Sequence, residues 1–137
     1  MKVHTTNYFN TFITIADDCT AQVGEMPPIK SDNPTVAAMQ YEMLATKPYK
    51  YTSDEVIFSA YAQKQGLTKG ELAEAKALFF SKGQACMRAS ALTKRYGWGI
   101  HYNADGKMAI YSCDSKEYKK FLADKTLKVI KAMRSSK

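Results

Sequence analysis

From Cys86 to Tyr111 the chain reads CMRASALTKRYGWGIHYNADGKMAIY, and most of the side chains suited to chemistry fall in this stretch. It holds the only Trp (Trp98), one of two His (His101), a thiol (Cys86) and the cations Arg88, Lys94 and Arg95. Arginine presents a planar fork that matches carboxylate or phosphate, and a Trp or Tyr ring gives a base or sugar a stacking surface. Arg88, Lys94, Arg95, Tyr96, Trp98 and His101 are therefore the leading candidate site, a pocket for a small anionic ligand. Few acids lie near them in sequence. If Glu25, Asp17 and Asp18 fold back to pair with them, the cluster only fastens a hairpin through ion pairs and cation–π contacts.

Cys86 and His101 are the one thiol–imidazole pair that a hairpin here would bring together. A nucleophilic Cys needs a neighbouring base or a positive field, and Arg88 is near enough in sequence to supply the second. No third residue stands out to orient the imidazole, and free Cys is among the most buried residue types, so a structural Cys86 is expected. A small enzyme using His101 and Cys86 is the alternative. His4, His101, Glu25 and the aspartates show no metal-ligand spacing, so neither metal nor cofactor is expected. No glycine-rich phosphate loop of known form is present.

The element that positions these residues is a hairpin. Asn103-Ala104-Asp105-Gly106 fits a type I turn: Asn bonds back to its own backbone and Gly accepts positive φ. The flanks, Tyr96 to Tyr102 and Lys107 to Ser112, are aromatic and branched, which predicts strands joined by a four-residue loop. Alternation then puts Trp98, Ile100 and Tyr102 on one face, opposite Ala109 and Tyr111. Gly97, Gly99 and His101 fall on the other, beside Met108 and Ile110. The two glycines leave a bare strip into which a helix is expected to pack. Ala85 to Ser90 reads as a further short strand, and Ala91 to Arg95 as its turn.

Elsewhere, Tyr8 to Ala16 reads as a central strand by its Phe, Ile and Thr content. Asp17 to Asn33 reads as an ordered surface loop. Asn33 with Pro34 starts a helix to about Ala45. Thr52 or Ser53 starts a second helix that Gly66 stops. Thr68 and Glu71 have capping-box spacing for a third, to about Phe80. Ser115 caps a helix bearing Tyr118, Phe121 and Leu122, and a restart at Asp124 predicts another with Leu127, Val129, Ile130 and Met133. The sum is one α+β domain over residues 1–137: a mostly antiparallel sheet of three to four strands packed against about five helices.

Charge is polarised along the chain. Lys82 to Lys137 carries 13 basic and 4 acidic residues, whereas Met1 to Ser81 carries 7 and 9. The basic half makes a nucleic-acid-associated module the second reading, against a solvated lysine face. No apolar run approaches the ~20 residues of a membrane span, so no membrane partner is expected. MKVHTTNYFN lacks the apolar core of a secretory signal. Three widely separated cysteines, with no CxxC, fit reduced thiols in a cytoplasm.

Several strings taken together resemble a family of small bacterial proteins known only as a domain of unknown function. They are NYFNTFI with ADD (Asn7 to Asp18), GEMPP (Gly24 to Pro28), PTVAAMQYEML (Pro34 to Leu44) and PYKYTSDEVIF (Pro48 to Phe58). FFSKGQACMRASALTKRYGWGIH (Phe79 to His101), which contains the distinctive KRYGWG, and KAMRS (Lys131 to Ser135) complete the likeness. The resemblance implies a stand-alone soluble domain and brings no activity, substrate or catalytic residue with it.

Overall fold

A computed structural model of the chain describes residues 4–28 and 35–134. Its centre is strand β1 (Thr11–Thr14), in which all four residues are buried. β1 pairs antiparallel with β2 (Trp98–Tyr102), which pairs antiparallel with β3 (Met108–Ser112). On its other edge β1 pairs in parallel with β4 (Lys128–Lys131), giving the order β3-β2-β1-β4. Among the described residues the fold is α+β with a mixed but mostly antiparallel four-stranded sheet and five helices, the class that the strand and helix patterns predict.

The helices are α1 (Val36–Thr46), α2 (Ser53–Gln65), α3 (Lys69–Phe79), the single turn α4 (Ala91–Lys94) and α5 (Lys116–Ala123). Their ends follow local chemistry. Thr52 and Glu55 form a reciprocal capping box at α2, Gly66 closes that helix at φ +66°, and Ser115 accepts from Tyr118 N at the start of α5. The expected start at Asn33 and Pro34 lies outside the described residues, and α1 is capped by Thr35, whose side chain accepts from Ala38 N. One sheet face carries the main core: Ile13, Ile100, Tyr102 and Met108 with Leu44 of α1, Val56 of α2 and Leu92 of α4. The opposite face packs against α5, through Phe12 against Tyr118 and Phe121.

Two segments differ from expectation. Ala85 to Ser90 is not a strand. Met87–Ala89 forms a 3₁₀ turn, and Ser90 caps α4 by accepting from Leu92 N. ACMRAS has no β-branched residue, so nothing favours extension, while a serine ahead of an apolar turn favours a cap. The terminal segment departs the other way. Asp124 does not restart a helix. Its carboxylate accepts from Thr126 N at 2.8 Å and Thr126 Oγ1 at 2.6 Å, an Asx turn that leads into β4. Paired Val129 and Ile130 suit a strand, and Lys128 N donates to Asn10 O while Ala132 N donates to Thr14 O, tying both ends of β4 to β1.

The hairpin forms with its register shifted by one residue. Asn103 N donates to Lys107 O at 3.0 Å, so the loop is the three residues 104–106, with Gly106 at φ +78°. Asn103 Oδ1 accepts from Asp105 N and Lys107 N, each at 2.9 Å. Trp98 thus faces Ser112, Ile100 faces Ile110, and Tyr111 moves to the side of Gly99 and His101. The glycine strip is filled by α5 at Gly99, as expected, and by the backbone near Val23, not a helix, at Gly97. A Cβ at Gly99 would come within 2.5 Å of the Tyr118 ring and 2.6 Å of Phe12, and one at Gly97 (φ +77°) within 2.5 Å of the Val23 carbonyl.

Substitution at these glycines tests the arrangement. Gly99→Ala is expected to destabilise by about 1–3 kcal/mol, since α5 must move off the sheet. Gly106→Val is expected to cost ~1 kcal/mol or more, because a β-branched residue is penalised at positive φ. Urea denaturation checks both, and an unchanged midpoint for either variant contradicts the corresponding contact.

Candidate functional site

The candidate residues separate into three places. Lys94 sits half-buried in the last turn of α4, where its charge complements the helix dipole, and Arg95 is exposed just beyond it. Among the described residues neither side chain makes a hydrogen bond or an ion pair. Tyr96 follows, its carbonyl accepting from Glu25 N at 2.7 Å. Arg88 lies elsewhere, in the 3₁₀ turn. Its Nε donates to Lys131 O at 2.7 Å and its own carbonyl accepts from Met133 N at 2.8 Å, a staple across the end of β4.

Trp98 is also engaged. Its Nε1 donates to Glu25 O at 2.8 Å, and its ring packs on Gly24 and on Tyr41, 5.5 Å away between centroids. The ring therefore anchors the loop that joins β1 to α1. Of the acids named as internal partners, Asp17 pairs with Lys131 at 3.2 Å, and Glu25 bonds to Tyr96 and Trp98 through its backbone.

Cys86 and His101 are not brought together. Cys86 Sγ is 3.1 Å from Tyr8 Oη, and the Tyr8 ring packs 5.4 Å from Tyr102, on the main-core face of β2. Burial, then the thiol bond, pushes the Tyr8 phenol up to about 12, with Arg88 opposing. The Tyr102 hydroxyl is fully buried without a hydrogen bond among the described residues, and burial holds its pKa far above the ordinary value. Cys86 also borders a cavity of about 310 Å³, mostly apolar, where Ser90 Oγ donates to Gln40 Oε1 at 2.8 Å.

His101 belongs to the α5 face. Its ring stacks on Phe121 at 4.2 Å with 11° between planes. Nδ1 is 2.8 Å from Tyr49 Oη, which is itself 2.8 Å from Tyr111 Oη. Burial lowers the imidazole pKa from 6.5, with the Asp124 carboxylate pulling weakly the other way. Burial, then the bond to Tyr111, raises the Tyr49 phenol well above 10. Tyr49 takes φ +59°, costing roughly 1–2 kcal/mol for a bulky L-residue. Tyr49 N donating to Met108 O at 2.7 Å and Met108 N donating to Tyr51 O at 2.9 Å hold it there, along the start of β3.

Tyr49, Tyr111 and Phe121 escape a reading of the sequence for chemistry. Tyr111 is assigned to the wrong face by the one-residue register shift. Tyr49 is 52 positions from His101, and the backbone bend that swings it in has no signature in Pro48-Tyr49-Lys50. The helical spacing does find Phe121, but as a core residue only.

The chain belongs to a family of unknown function (DUF6157), whose model matches residues 3–137. No curated protein and no solved structure matches the chain.

The lowered His101 pKa has a definite sign in stability. The unfolded imidazole, near 6.5, binds its proton more readily than the folded one, so the contribution is complete above about pH 6.5 and is lost as pH falls through the lower folded value. Thermal unfolding scanned from pH 7.5 downward is expected to show a falling midpoint in that window, with a shallower fall in His101→Gln. Parallel curves for the two proteins contradict the assignment.

Proposed function

We propose that this member of the family is a binding protein for a small anionic ligand, held where α4 turns into β2 by Lys94 and Arg95, with Tyr96 beside them. The observation that carries the reading is the pair of adjacent cations without a partner among the described residues. Arg88 and Trp98, engaged with Lys131 and Glu25, act behind the site by fixing the turn and the loop against it. No described helix is long and apolar enough to cross a membrane. We place the protein in a reducing cytoplasm, which the free thiols of Cys19, Cys86 and Cys113 support.

The test is a scan of thermal stability and Trp98 fluorescence against phosphate, nucleotides and small carboxylates. A binder raises stability as RT ln(1 + [L]/Kd), roughly 2.7 kcal/mol at a hundredfold excess over Kd. Arg95→Met with Lys94→Met is expected to abolish the gain, whereas Arg88→Met lowers the starting midpoint and keeps it. A panel in which no anion moves the midpoint removes this reading.

A second reading has its own observation. Lys116, Lys119 and Lys120 of α5, with Lys125 and Lys128 after it, are all exposed. A nucleic acid bound there would lose affinity steeply with salt, in proportion to the phosphates neutralised. The α4-turn variants would leave such binding intact.

A further inference from the structure

The α5 face carries a constellation that the anion reading does not use. We propose that His101, Tyr49 and Tyr111 form an acid–base site, with His101 Nε2 meeting the substrate and the two phenols carrying protons between Nδ1 and solvent. The geometry assigns the roles. Nδ1 is committed to Tyr49 Oη at 2.8 Å, and Nε2 has no hydrogen bond among the described residues. Stacking on Phe121 fixes the ring plane, so the free nitrogen has a set direction. The partly exposed Tyr111 continues the chain of hydroxyls at 2.8 Å. Tyr49, which links the two, is held in a left-handed backbone conformation that a bulky side chain rarely adopts.

The charged and titratable groups around the imidazole set the substrate class. Tyr49 faces it from the segment before α2, Tyr111 from β3, and Asp124 from the end of α5, with Lys120 beside Asp124; β1 contributes Phe12, which packs on Phe121. A carboxylate next to the base disfavours an anion both as the bound molecule and as the product, so the site suits a cationic acid such as a protonated amine, which is left uncharged once its N–H proton has passed to Nε2. The proton step balances over four atoms. Substrate gives its proton to Nε2, the Nδ1 proton passes to Tyr49 Oη, the Tyr49 proton passes to Tyr111 Oη, and the Tyr111 proton leaves to water. The imidazole and both phenols end neutral, and the reverse sequence returns a proton to substrate.

Diethyl pyrocarbonate, an uncharged electrophile attacked by neutral imidazole, tests the open nitrogen, with His4 as the second imidazole in the same molecule. In the folded protein His101 is expected to be carbethoxylated at Nε2, at a rate rising roughly tenfold per pH unit below its pKa and level above it. Nitrogen-15 spectra are expected to show one dominant tautomer, with Nδ1 protonated, that becomes mixed in Tyr49→Phe. Tyr111→Phe, which leaves the Tyr49–His101 contact in place, is expected to slow solvent exchange of the Nδ1 proton several-fold without changing carbethoxylation. A His101 that reacts only after unfolding overturns the site. A tautomer ratio indifferent to Tyr49→Phe, or exchange indifferent to Tyr111→Phe, overturns the relay and leaves a packing contact. Phosphate at concentrations that occupy the α4 turn should not protect His101, so failure of either site is visible without the other.

Discussion

The structure depends on burying β1 on both faces at once. Phe12 and Ile13 point to opposite sides and are both fully buried, so each side of the sheet needs its own cover. α5 supplies one, with Tyr118 and Phe121 against Phe12, and its approach is close enough that only glycine fits at position 99. The Tyr118 hydroxyl accepts from Ile15 N at 3.0 Å just beyond β1, so the same side chain that fills the strip also satisfies the strand end. α1, α2 and α4 cover the other face around Ile13 and Ile100.

That two-sided cover decides what the candidate residues can do together. β2 runs beside β1 and alternates with it, so Tyr102 enters the core side while His101 enters the α5 side. A hairpin drawn on paper puts Cys86, Trp98 and His101 within reach of one another. In three dimensions β2 divides them: a thiol–phenol group lies on one face and an imidazole–phenol group on the other. The loop before α1 then claims Trp98 for its own anchorage, since Gly24 lets the chain lie directly on the indole.

Most of the frame was legible in the sequence because it is written in local chemistry. Thr52 with Glu55, Thr68 with Glu71, Gly66, Ser115 and Gly106 each act within four residues of themselves, and each behaves in the fold as its type predicts. The failures are nonlocal. Lys128–Lys131 is read equally well as a short amphipathic helix until the free edge of β1 is known, and its hydrogen bonds come from residues 10 and 14, over a hundred positions away. The hairpin register turned on whether Asn103 belongs to the loop or to the strand, and one residue of difference exchanged Tyr111 between faces.

Position 49 shows why such a site escapes composition-based reading. What brings Tyr49 to His101 is a backbone conformation, set by two hydrogen bonds to Met108 and by the Thr52–Lys107 bridge that continues them. Those bonds are available because β3 is an edge strand whose outer side must be covered or paired. Covering that edge with the α1–α2 connection fixes Tyr49, whose hydroxyl then meets His101 Nδ1 at 2.8 Å. The imidazole on the inner strand β2 is thus met by the chain that protects the sheet's edge, through a Tyr49 hydroxyl that the backbone bonds along Tyr49 to Thr52 hold in place.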